Sequence, residues 1–373
     1  MKIKVDLSRF GSGGGYEILI GSDIINPEPK GDITDILNSV GLRGRAFVIT
    51  SKTVSDLYGS RITHFFENAD INPIIIILPD GENTKSQKYL FHIYDELINC
   101  KAERRDFIIA FGGGVVGDLA GFAAATYLRG INFIQMPTTL LADVDSSVGG
   151  KTGINHSKGK NLIGAFYQPK VVLIDTGLLK SLDARELANG FAEVIKYGVV
   201  LDGEFFSYLE NNCDKVLSYD ESALAYIIER SCAIKADIVS EDEKEAGIRS
   251  VLNFGHSMGH AVEALYNYEN IKHGEAISIG MIFATMLSKK IGLCADKTVT
   301  RVKNLIEKSG LPVKIPEFTA EQYVNAMRLD KKVSEKQIKF VLIEDIGNYK
   351  LKKLDFGFIH DFIFDICTKT VSR

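Results

Sequence analysis

Imidazole side chains at helical spacing stand out between positions 249 and 275, which read RSVLNFGHSMGHAVEALYNYENIKHGE. His256 and His260 are four residues apart, so on a helix both rings project from one face, which Glu263 shares. His273 follows a polar turn, and three of the seven histidines therefore fall within eighteen residues. A cluster of this kind favours a functional site over isolated surface or core histidines.

The chemistry that such a cluster suits is divalent metal binding. A catalytic zinc-type site takes three nitrogen or carboxylate ligands and leaves one position open. The HxxxH spacing makes His256 and His260 the expected ligand pair, and the other candidates are Glu263, His273 and the distant Glu193. Spacing alone does not separate a ligand from a neighbouring acid or base.

Glu193 lies in AEVIKYG (192–198), three residues before Lys196 on a predicted helix. This spacing usually produces an intrahelical ion pair worth a few tenths of a kcal/mol. The alternative is that the carboxylate binds a metal, and both interpretations remain open.

A glycine-rich turn, FGGGVVGD at 111–118, places Gly112, Gly114 and Gly117 between an apolar strand and a helix. Such a turn lets the backbone approach a pyrophosphate at a helix N-terminus. The alternative is a tight strand-to-helix turn without a ligand. Against a conventional dinucleotide fold, the turn does not follow the first strand, and no acidic residue follows about twenty positions later.

A second small-residue stretch is PTTLLADVDSSVGGKTGIN (137–155), followed by GKN at 159–161. Its GGKT is not a Walker A motif, because Asp145 stands where that motif needs glycine. We expect a loop whose Asp145, Lys151 and Lys160 act near phosphates, or else a glycine-rich surface loop with solvated lysines.

Basic residues are spread through the same stretches, and together they suggest an anionic substrate of several charges, although each is individually typical of a solvated surface. They are Arg129, Lys151, Lys160, Lys196, Lys235, Arg249, Lys331 and Lys332.

The elements that position these residues fall into two kinds. Short apolar runs at 46–50, 73–78, 106–111, 131–136 and 171–175 are mostly separated by stretches of helical length. This pattern predicts a parallel sheet covered on both faces, within an α/β nucleotide-binding domain at 1–182. Residues 1–21, interrupted by GSGGG, indicate a hairpin or edge strands.

The remainder, 183–373, is predicted to be a mainly helical domain that binds metal and substrate. Helical periodicity recurs at 184–199, 202–217, 220–239, 250–266, 275–291, 297–309 and 319–328. KFVLIED (339–345), then GN and YKLKKL, predict a late hairpin. Because no Ser- or Pro-rich linker separates the two domains, we expect a ligand cleft between them.

Composition narrows the class of protein. The 373 residues are 45% hydrophobic and 25% charged, and the formal net charge of −4 argues against a general binder of nucleic acids or membrane surfaces. The five scattered cysteines form no CxxC and indicate a reducing compartment. The segment MKIKVDLSRFGSGGG has no signal-peptide h-region, and no run reaches membrane-spanning length. We therefore expect a cytoplasmic protein.

Taken in order, these motifs resemble those of the 3-dehydroquinate synthase family, from about 45 to 345. The stretches that carry the resemblance, besides 137–155, are PDGENTKS (79–86), GGGVVGDLAGFAAATYLRG (112–130), GKNLIGAFYQP (159–169), ELANGFAEVIKYG (186–198), EDEKEAGIRSVLNFGHSMGHAVE (241–263), HGEAISIGM (273–281) and DKKV (330–333).

The resemblance implies an N-terminal α/β NAD-binding domain and a helical C-terminal domain that binds zinc or cobalt. It also implies a homodimer and a reaction of the shikimate pathway. The family converts 3-deoxy-D-arabino-heptulosonate 7-phosphate to 3-dehydroquinate and phosphate. In that reaction NAD transiently oxidises a hydroxyl, phosphate is eliminated, the ketone is reduced again, and the opened ring closes by aldol addition.

The resemblance also implies roles for individual residues. The metal ligands are Glu193, His256 and His273, so His260 becomes a substrate or proton-transfer residue. Catalytic roles fall on His260, Glu245, Lys196, Lys151, Arg249 and Asn253. NAD contacts fall on Asp80, Gly81, Glu82, Asn83, Thr84, Lys85, Gly114, Val115, Val116, Gly117, Asp118, Thr138, Thr139, Lys151, Lys160, Leu178, Leu179, Lys180 and Ser181. Substrate contacts fall on Arg129, Asp145, Asn161, Lys196, Lys235, Arg249, Asn253, His260, Lys331 and Lys332.

Two positions depart from the family pattern. Ser51 stands where relatives usually have an acid after the first α/β strand, and Asp143 stands where glutamine is common. The first departure bears on the adenosine ribose. Alternative functions are another sugar phosphate cyclase, of the aminodehydroquinate, valiolone or inosose type, and a metal-dependent glycerol or alcohol dehydrogenase. A binding protein without catalysis is the weakest alternative, because no presumed ligand is missing.

Overall fold

The chain divides into two compact units in a computed structural model, which describes residues 1–10, 14–25, 32–330 and 337–371. The first unit comprises Met1–Asp183 and Leu224–Lys244, and the second comprises Ala184–Ala223 and Glu245–Arg373. Within the described residues, no helix combines the length and the apolar character that crossing a membrane requires.

The first unit is built on a seven-stranded sheet in the order β1-β2-β9-β6-β5-β3-β4, with β7 and β8 forming a separate antiparallel hairpin. Its strands are β1 (Lys2–Val5), β2 (Tyr16–Gly21), β3 (Ala46–Ser51), β4 (Ile74–Leu78), β5 (Phe107–Gly112), β6 (Asn132–Pro137), β7 (Lys151–His156), β8 (Gly159–Phe166) and β9 (Val171–Asp175). All neighbours in the large sheet are parallel except β1 and β2, which pair antiparallel.

Helices cover both faces of this sheet, as the continuous apolar runs predicted. They are α1 (Asp32–Ser39), α2 (Lys52–Glu67), α3 (Gln87–Asn99) and α4 (Gly114–Thr126). Side chains of β5 alternate between two cores: Ile108 and Ala110 pack with α3 and α4, whereas Phe107, Ile109 and Phe111 pack with α1 and α2. The predicted α/β class is therefore confirmed.

The chain after β9 is mainly helical, as predicted. The helices are α5 (Ala184–Leu201), α6 (Gly203–Leu217), α7 (Glu221–Glu241), α8 (His256–Leu265), α9 (His273–Lys290), α10 (Asp296–Lys308), α11 (Ala320–Asp330) and α12 (Phe356–Val371). The late hairpin is also confirmed, as β10 (Gln337–Asp345) and β11 (Asn348–Asp355). Most of α7 belongs to the first unit. In the second unit, α8, α9, α11, α12 and the β10–β11 hairpin share one apolar core.

Three local expectations differ from the structure. The helix predicted from 250 begins only at His256. A 3-10 helix, Ile248–Asn253, precedes it, and the left-handed Gly255 (φ 79°) is the N-cap of α8. Lys151 and Lys160, expected to lie in a small-residue loop, instead belong to the strands of the β7–β8 hairpin. Helix α12 was not predicted, because its apolar residues occupy most of its faces and show no clear period.

Candidate metal and nucleotide sites

Glu193 lies in the middle of α5, a helix whose residues from Phe191 to Val200 are all buried. Its side chain is 0% exposed, and Oε2 accepts a hydrogen bond from Nζ of Lys196, which is buried as well. Oε1 faces the two imidazoles described next. The ion pair and the metal-binding interpretation are thus compatible, because they use different oxygens of one carboxylate.

His256 is the first residue of α8, and its Nδ1 lies 3.1 Å from the carbonyl oxygen of Phe254. A carbonyl only accepts, so Nδ1 carries the proton and the Nε2 lone pair is available, 3.7 Å from Glu193 Oε1. Burial and the positive charge of Lys196 lower the pKa of His256 to about 3, although the negative charge of Glu193 acts to raise it. The ring is neutral at physiological pH, as a metal ligand must be.

His273 is the first residue of α9, two residues before the helix predicted at 275–291. Its Nε2 lies 3.6 Å from Glu193 Oε1 and its Nδ1 3.5 Å from Oε1 of Glu263 on α8. Burial alone would lower the pKa of His273, but hydrogen bonds to these two carboxylates raise it to about 10. The ring is held between two acids from different helices.

Potential ligand atoms of Glu193, His256 and His273 all lie within 4.8 Å of one another, and the described residues contain no other group of three such side chains. Two imidazole nitrogens and a carboxylate oxygen are a donor set that zinc and similar ions accept. Geometry thus brings together the set that the family resemblance implied, not the HxxxH pair that spacing favoured. His260 stays close, with its ring centroid 5.3 Å from that of His256.

Other predicted catalytic residues lie in the same unit as this cluster. Asn253 donates a hydrogen bond of 2.6 Å from Nδ2 to Glu245 Oε1, and Glu245 has φ 58°, a left-handed conformation that is uncommon for glutamate. Arg249, in the 3-10 helix before α8, is only 2% exposed. Lys331 and Lys332, expected to contact substrate, lie outside the described residues.

Contacts between α5 and α9 position His273, and sequence reasoning missed them. Asn189 Oδ1 accepts a hydrogen bond of 2.6 Å from the backbone N–H of Gly274, and its Nδ2 donates to Glu186. Glu186 also pairs with Lys272. A Cβ atom on Gly274 would lie 2.0 Å from the carbonyl oxygen of Asn189, so only glycine permits this approach. Asn189 and Gly274 both occur in the quoted motifs, but no spacing rule links them.

In the first unit, the glycine-rich turn lies between β5 and α4, with Gly113 as N-cap residue. A Cβ on Gly112 would lie 2.7 Å from Val116, and one on Gly117 would lie 2.9 Å from Gln135 Oε1. Close packing therefore requires glycine, and the first N–H groups of α4 are available to phosphate oxygens. Val116 is buried, so a contact with NAD would involve its backbone.

Lys85 joins three stretches predicted to bind NAD or substrate. Its Nζ pairs with Asp118 on α4 and with Asn161 Oδ1 on β8. Lys85 is buried, Asp118 is partly exposed and Asn161 is exposed. Burial raises the pKa of Asp118, and Lys85 opposes that rise. Asn161 adopts φ 55°, and its backbone N–H donates to Asn155 Oδ1 at 3.0 Å.

Asn155 is a second residue that sequence reasoning missed. Its Nδ2 donates to Glu82 Oε1 at 2.7 Å, and its backbone N–H donates to the carbonyl oxygen of Lys85 at 2.8 Å. It therefore ties the hairpin to the stretch Asp80–Lys85, where Glu82–Thr84 form a 3-10 turn.

Other predicted substrate residues of this unit occupy different settings. Asp145 lies in a π-helical turn, Ala142–Ser146, and pairs with Lys235 of α7, which also donates to the Asp145 carbonyl oxygen at 2.6 Å. Arg129 is exposed and has φ 67°. Lys151 begins β7 and Lys160 lies in β8, so both belong to the hairpin and not to a loop.

Further predicted NAD residues line the carboxyl ends of β6 and β9. Thr138 is buried and its backbone N–H donates to Gly112, whereas Thr139 Oγ1 accepts from the Ala142 N–H at 3.2 Å. The predicted segment 178–181 is part of a 3-10 helix, Thr176–Ser181. Leu178 and Leu179 have buried side chains, and Lys180 and Ser181 are exposed.

The two departures from the family pattern have distinct settings. Ser51 is the N-cap of α2 and accepts from the Val54 N–H at 3.4 Å. The Asp80 carboxylate accepts from Thr53 N and, at 2.9 Å, from Thr53 Oγ1. Burial would raise the pKa of Asp80, but hydrogen bonds from Ser51 and Thr53 lower it. An ionised carboxylate therefore lies at the strand end where Ser51 replaces the usual acid.

Asp143 is the other departure, and it is fully enclosed. Neither carboxyl oxygen has a hydrogen-bond partner among the described residues. Burial and the negative charge of Asp175 raise the pKa of Asp143 well above its ordinary value. Cys232 of α7 donates from Sγ to the Asp143 carbonyl oxygen at 3.3 Å. Burial therefore favours the protonated form of this side chain over the carboxylate.

Comparison with known proteins identifies the family of this chain. The family model for the 3-dehydroquinate synthase N-terminal domain matches residues 75–189, and that for the C-terminal domain matches 190–333. The chain belongs to the 3-dehydroquinate synthase family. The 3-dehydroquinate synthase of Geobacter sp. (strain M21) is 50% identical over 322 residues, which cover 86% of this chain and 89% of that protein.

Solved structures of sugar phosphate cyclases share the fold. A 2-epi-5-epi-valiolone synthase from Streptomyces hygroscopicus subsp. jinggangensis 5008, with NAD+ and Zn2+ bound, superposes with a TM-score of 0.86 at 26% identity, covering 95% of this chain and 97% of that one. A 2-deoxy-scyllo-inosose synthase complexed with carbaglucose-6-phosphate, NAD+ and Co2+ gives 0.85 at 25% identity, covering 98% and 100%.

Proposed function

We propose that this chain is a 3-dehydroquinate synthase. It converts 3-deoxy-D-arabino-heptulosonate 7-phosphate to 3-dehydroquinate and phosphate, as a carbon–oxygen lyase of the shikimate pathway. The observation that carries the proposal is the convergence of Glu193, His256 and His273, within a chain 50% identical to a 3-dehydroquinate synthase. This donor set suits the metal-assisted chemistry of that family.

NAD and one divalent cation, zinc or cobalt, supply a reversible hydride acceptor and a Lewis acid for substrate hydroxyls. Glu193, His256 and His273 are the proposed ligands of the cation. For NAD, the backbone N–H groups at the start of α4 receive the pyrophosphate, and residues from Asp80 to Lys85 receive the remainder. The tightly packed glycines of the turn and the Lys85–Asp118 ion pair are consistent with a nucleotide-binding role.

Side chains of the same unit are proposed to carry the proton transfers. His260, one turn after His256, is proposed to exchange a proton with the substrate. Glu245, held by Asn253, is a second proton-transfer residue. Lys196 neutralises Glu193 and is proposed to contact the substrate, since its ammonium group is already fixed in the buried site.

The remaining basic residues are proposed to bind the phosphate and carboxylate of the substrate. They are Arg129, Lys151, Lys235, Arg249, Lys331 and Lys332, with Asp145 and Asn161 as hydrogen-bonding partners. Lys235 is paired with Asp145, and this ion pair fixes the position of the Lys235 ammonium group. Elimination of phosphate then needs no separate base, because the departing group's own oxygens can accept the proton.

The second candidate is a cyclase of the valiolone or inosose type, which the shared fold supports. Identity of 50% to a 3-dehydroquinate synthase against 26% to a valiolone synthase favours the dehydroquinate reaction. A metal-dependent glycerol or alcohol dehydrogenase is weaker still, because the buried basic residues suit a multiply charged substrate.

The decisive experiment is incubation of the purified chain, NAD and zinc with the heptulosonate phosphate, with phosphate release and product followed together. We expect phosphate and 3-dehydroquinate in equal amounts, with no net NADH accumulation at 340 nm. A sugar 7-phosphate that lacks the carboxylate tests the valiolone-type reaction in parallel. Absence of phosphate release from the heptulosonate would overturn the proposal, and accumulating NADH would favour a dehydrogenase.

The functional division falls near residue 183, with nucleotide contacts before it and metal ligands after it. Family membership supports a homodimer, which sedimentation analysis tests. A cytoplasmic location fits the five cysteines, all of which are unpaired thiols.

A further inference from the structure

The two candidate imidazole ligands present the same ring atom to Glu193. Nε2 of His256 lies 3.7 Å from Glu193 Oε1, and Nε2 of His273 lies 3.6 Å from it. Behind each ring is an oxygen close to Nδ1. For His256 this is the Phe254 carbonyl at 3.1 Å, and for His273 it is Oε1 of Glu263 at 3.5 Å.

An oxygen at this position has a known physical effect. A metal-ligating histidine usually donates its second N–H to a carbonyl or carboxylate, which selects the tautomer, orients the ring and strengthens the bound nitrogen as a donor. For His256 the backbone does this, and no side-chain substitution can remove it. For His273 the corresponding oxygen belongs to a side chain, so it can be tested.

Glu263 is well placed for such a role. It lies seven residues after His256 on α8, so the two side chains project from one face of the helix two turns apart. Its side chain is 5% exposed, which limits competition from water for the hydrogen bond. It is not one of the three residues whose ligand atoms converge.

We propose that Glu263 is a positioning residue for His273; this inference rests on the metal site of the proposed function. Its carboxylate accepts the Nδ1 proton and directs Nε2 toward the cation. Helix α8 then contributes one ligand, His256, at its first residue. Two turns later it contributes the Glu263 carboxylate, which orients the ligand His273 of α9. Glu263, which spacing suggested as a possible ligand, acts through His273 instead.

The test measures cation binding by the full-length chain without substrate. The metal-free wild type, Glu263→Gln and Glu263→Ala are titrated with Zn2+ in competition with a chelator, and with Co2+ while its visible absorption is recorded. The matched control is Glu210→Gln, which removes a carboxylate from α6 in the same unit, where it pairs with Arg301 at 2.6 Å. Circular dichroism checks that each metal-free variant is folded.

We expect Glu263→Ala to bind Zn2+ about 10- to 100-fold more weakly than the wild type. The isosteric Glu263→Gln should lose less affinity and shift the Co2+ bands, because the ring is less firmly oriented. Glu210→Gln should match the wild type in both measurements. Wild-type affinity and an unchanged Co2+ spectrum in Glu263→Gln and Glu263→Ala overturn the inference alone. Failure of the wild type to bind either ion overturns the proposed metal site with it.

Discussion

Single side chains in this protein serve more than one partner, and Glu193 is the clearest case. One of its oxygens accepts from Lys196, three residues later, while the other faces two imidazoles from more distant parts of the chain. The intrahelical pair follows from spacing, and the imidazole contacts do not. Residue type and spacing therefore predicted half of the environment of this carboxylate.

Replacement of His273 by alanine is the residue-scale test of the ligand set. We expect His273→Ala to lower turnover at least a thousandfold, roughly 4 kcal/mol in the activation barrier, and to weaken Zn2+ binding, because two ligands remain of three. The control is His360→Ala, since His360 is exposed on α12 in the same unit. Phosphate release and Zn2+ titration give the measurement, and normal turnover in His273→Ala would contradict the assignment.

Asp143 gives a prediction about pH and stability. Its folded-state pKa lies well above the ordinary 3.8, so the folded protein holds a proton that the unfolded chain releases. Stability therefore falls as pH rises above about 4, by up to about 1.4 kcal/mol per pH unit until the folded-state pKa is passed. In Asp143→Asn this loss should be absent.

Urea unfolding of the wild type and Asp143→Asn across pH 5 to about 8 measures this difference. Asp35→Asn, on the exposed side of α1, controls for removal of one acidic residue. Parallel pH profiles for Asp143→Asn and the wild type would show that the carboxyl group is ionised in the folded protein.

At the scale of elements, the contact between α5 and α9 decides whether a metal site exists. Glu193 lies within α5 and His273 begins α9, so the two helices must be in register for their side chains to meet. The hydrogen bond from the Gly274 N–H to Asn189 and the lack of room for a Cβ at Gly274 set that register.

Replacement of Gly274 by alanine should disturb this register. A Cβ 2.0 Å from the Asn189 carbonyl oxygen forces the backbones apart, and overpacking of this kind costs about 1–3 kcal/mol. We expect a lower unfolding temperature and weaker Zn2+ binding. In Gly59→Ala the nearest atom is Ser55 Oγ at 3.3 Å, so stability should be unchanged or slightly higher. Equal effects in the two variants would show that the α5–α9 contact is not special.

At the scale of the whole molecule, the chain passes between the two units more than once. Leu224–Lys244, within a run of helices, belongs with the α/β unit. There Lys235 pairs with Asp145, Glu243 accepts from Gln168 at 3.0 Å, and Ser240 accepts from the Asp6 N–H at 2.9 Å. The α/β unit is therefore completed by a helix that follows it in sequence.

A fragment that contains only residues 1–183 should consequently be unstable. Without α7, the surface that packs against Cys232 and Lys235 is exposed, and the contacts with Asp143 and Asp145 are lost. We expect no cooperative urea transition, and strong binding of a hydrophobic dye, while the full-length chain unfolds cooperatively. Cooperative unfolding of the fragment, with native-like circular dichroism, would contradict this view of the first unit.

The sequence by itself determined the local features of this protein. Strands of β-branched residues, the glycine-rich turn, the late hairpin and most helices follow from short-range periodicity and turn chemistry, and the ordered motifs established the family. Misplaced boundaries arose where a left-handed glycine, Gly255, separated a 3-10 helix from α8, or where small residues at 151–166 formed a hairpin. Both depend on packing that periodicity does not record.

Tertiary structure alone decided which side chains meet. Glu193 and His273 are eighty residues apart, Lys235 reaches Asp145 across ninety, and Asn189 meets Gly274 across eighty-five. Such contacts depend on where whole helices pack, and packing is set by apolar surface distributed over many residues. That is why spacing favoured His256 with His260, whereas the folded chain brings His256 and His273 to one carboxylate.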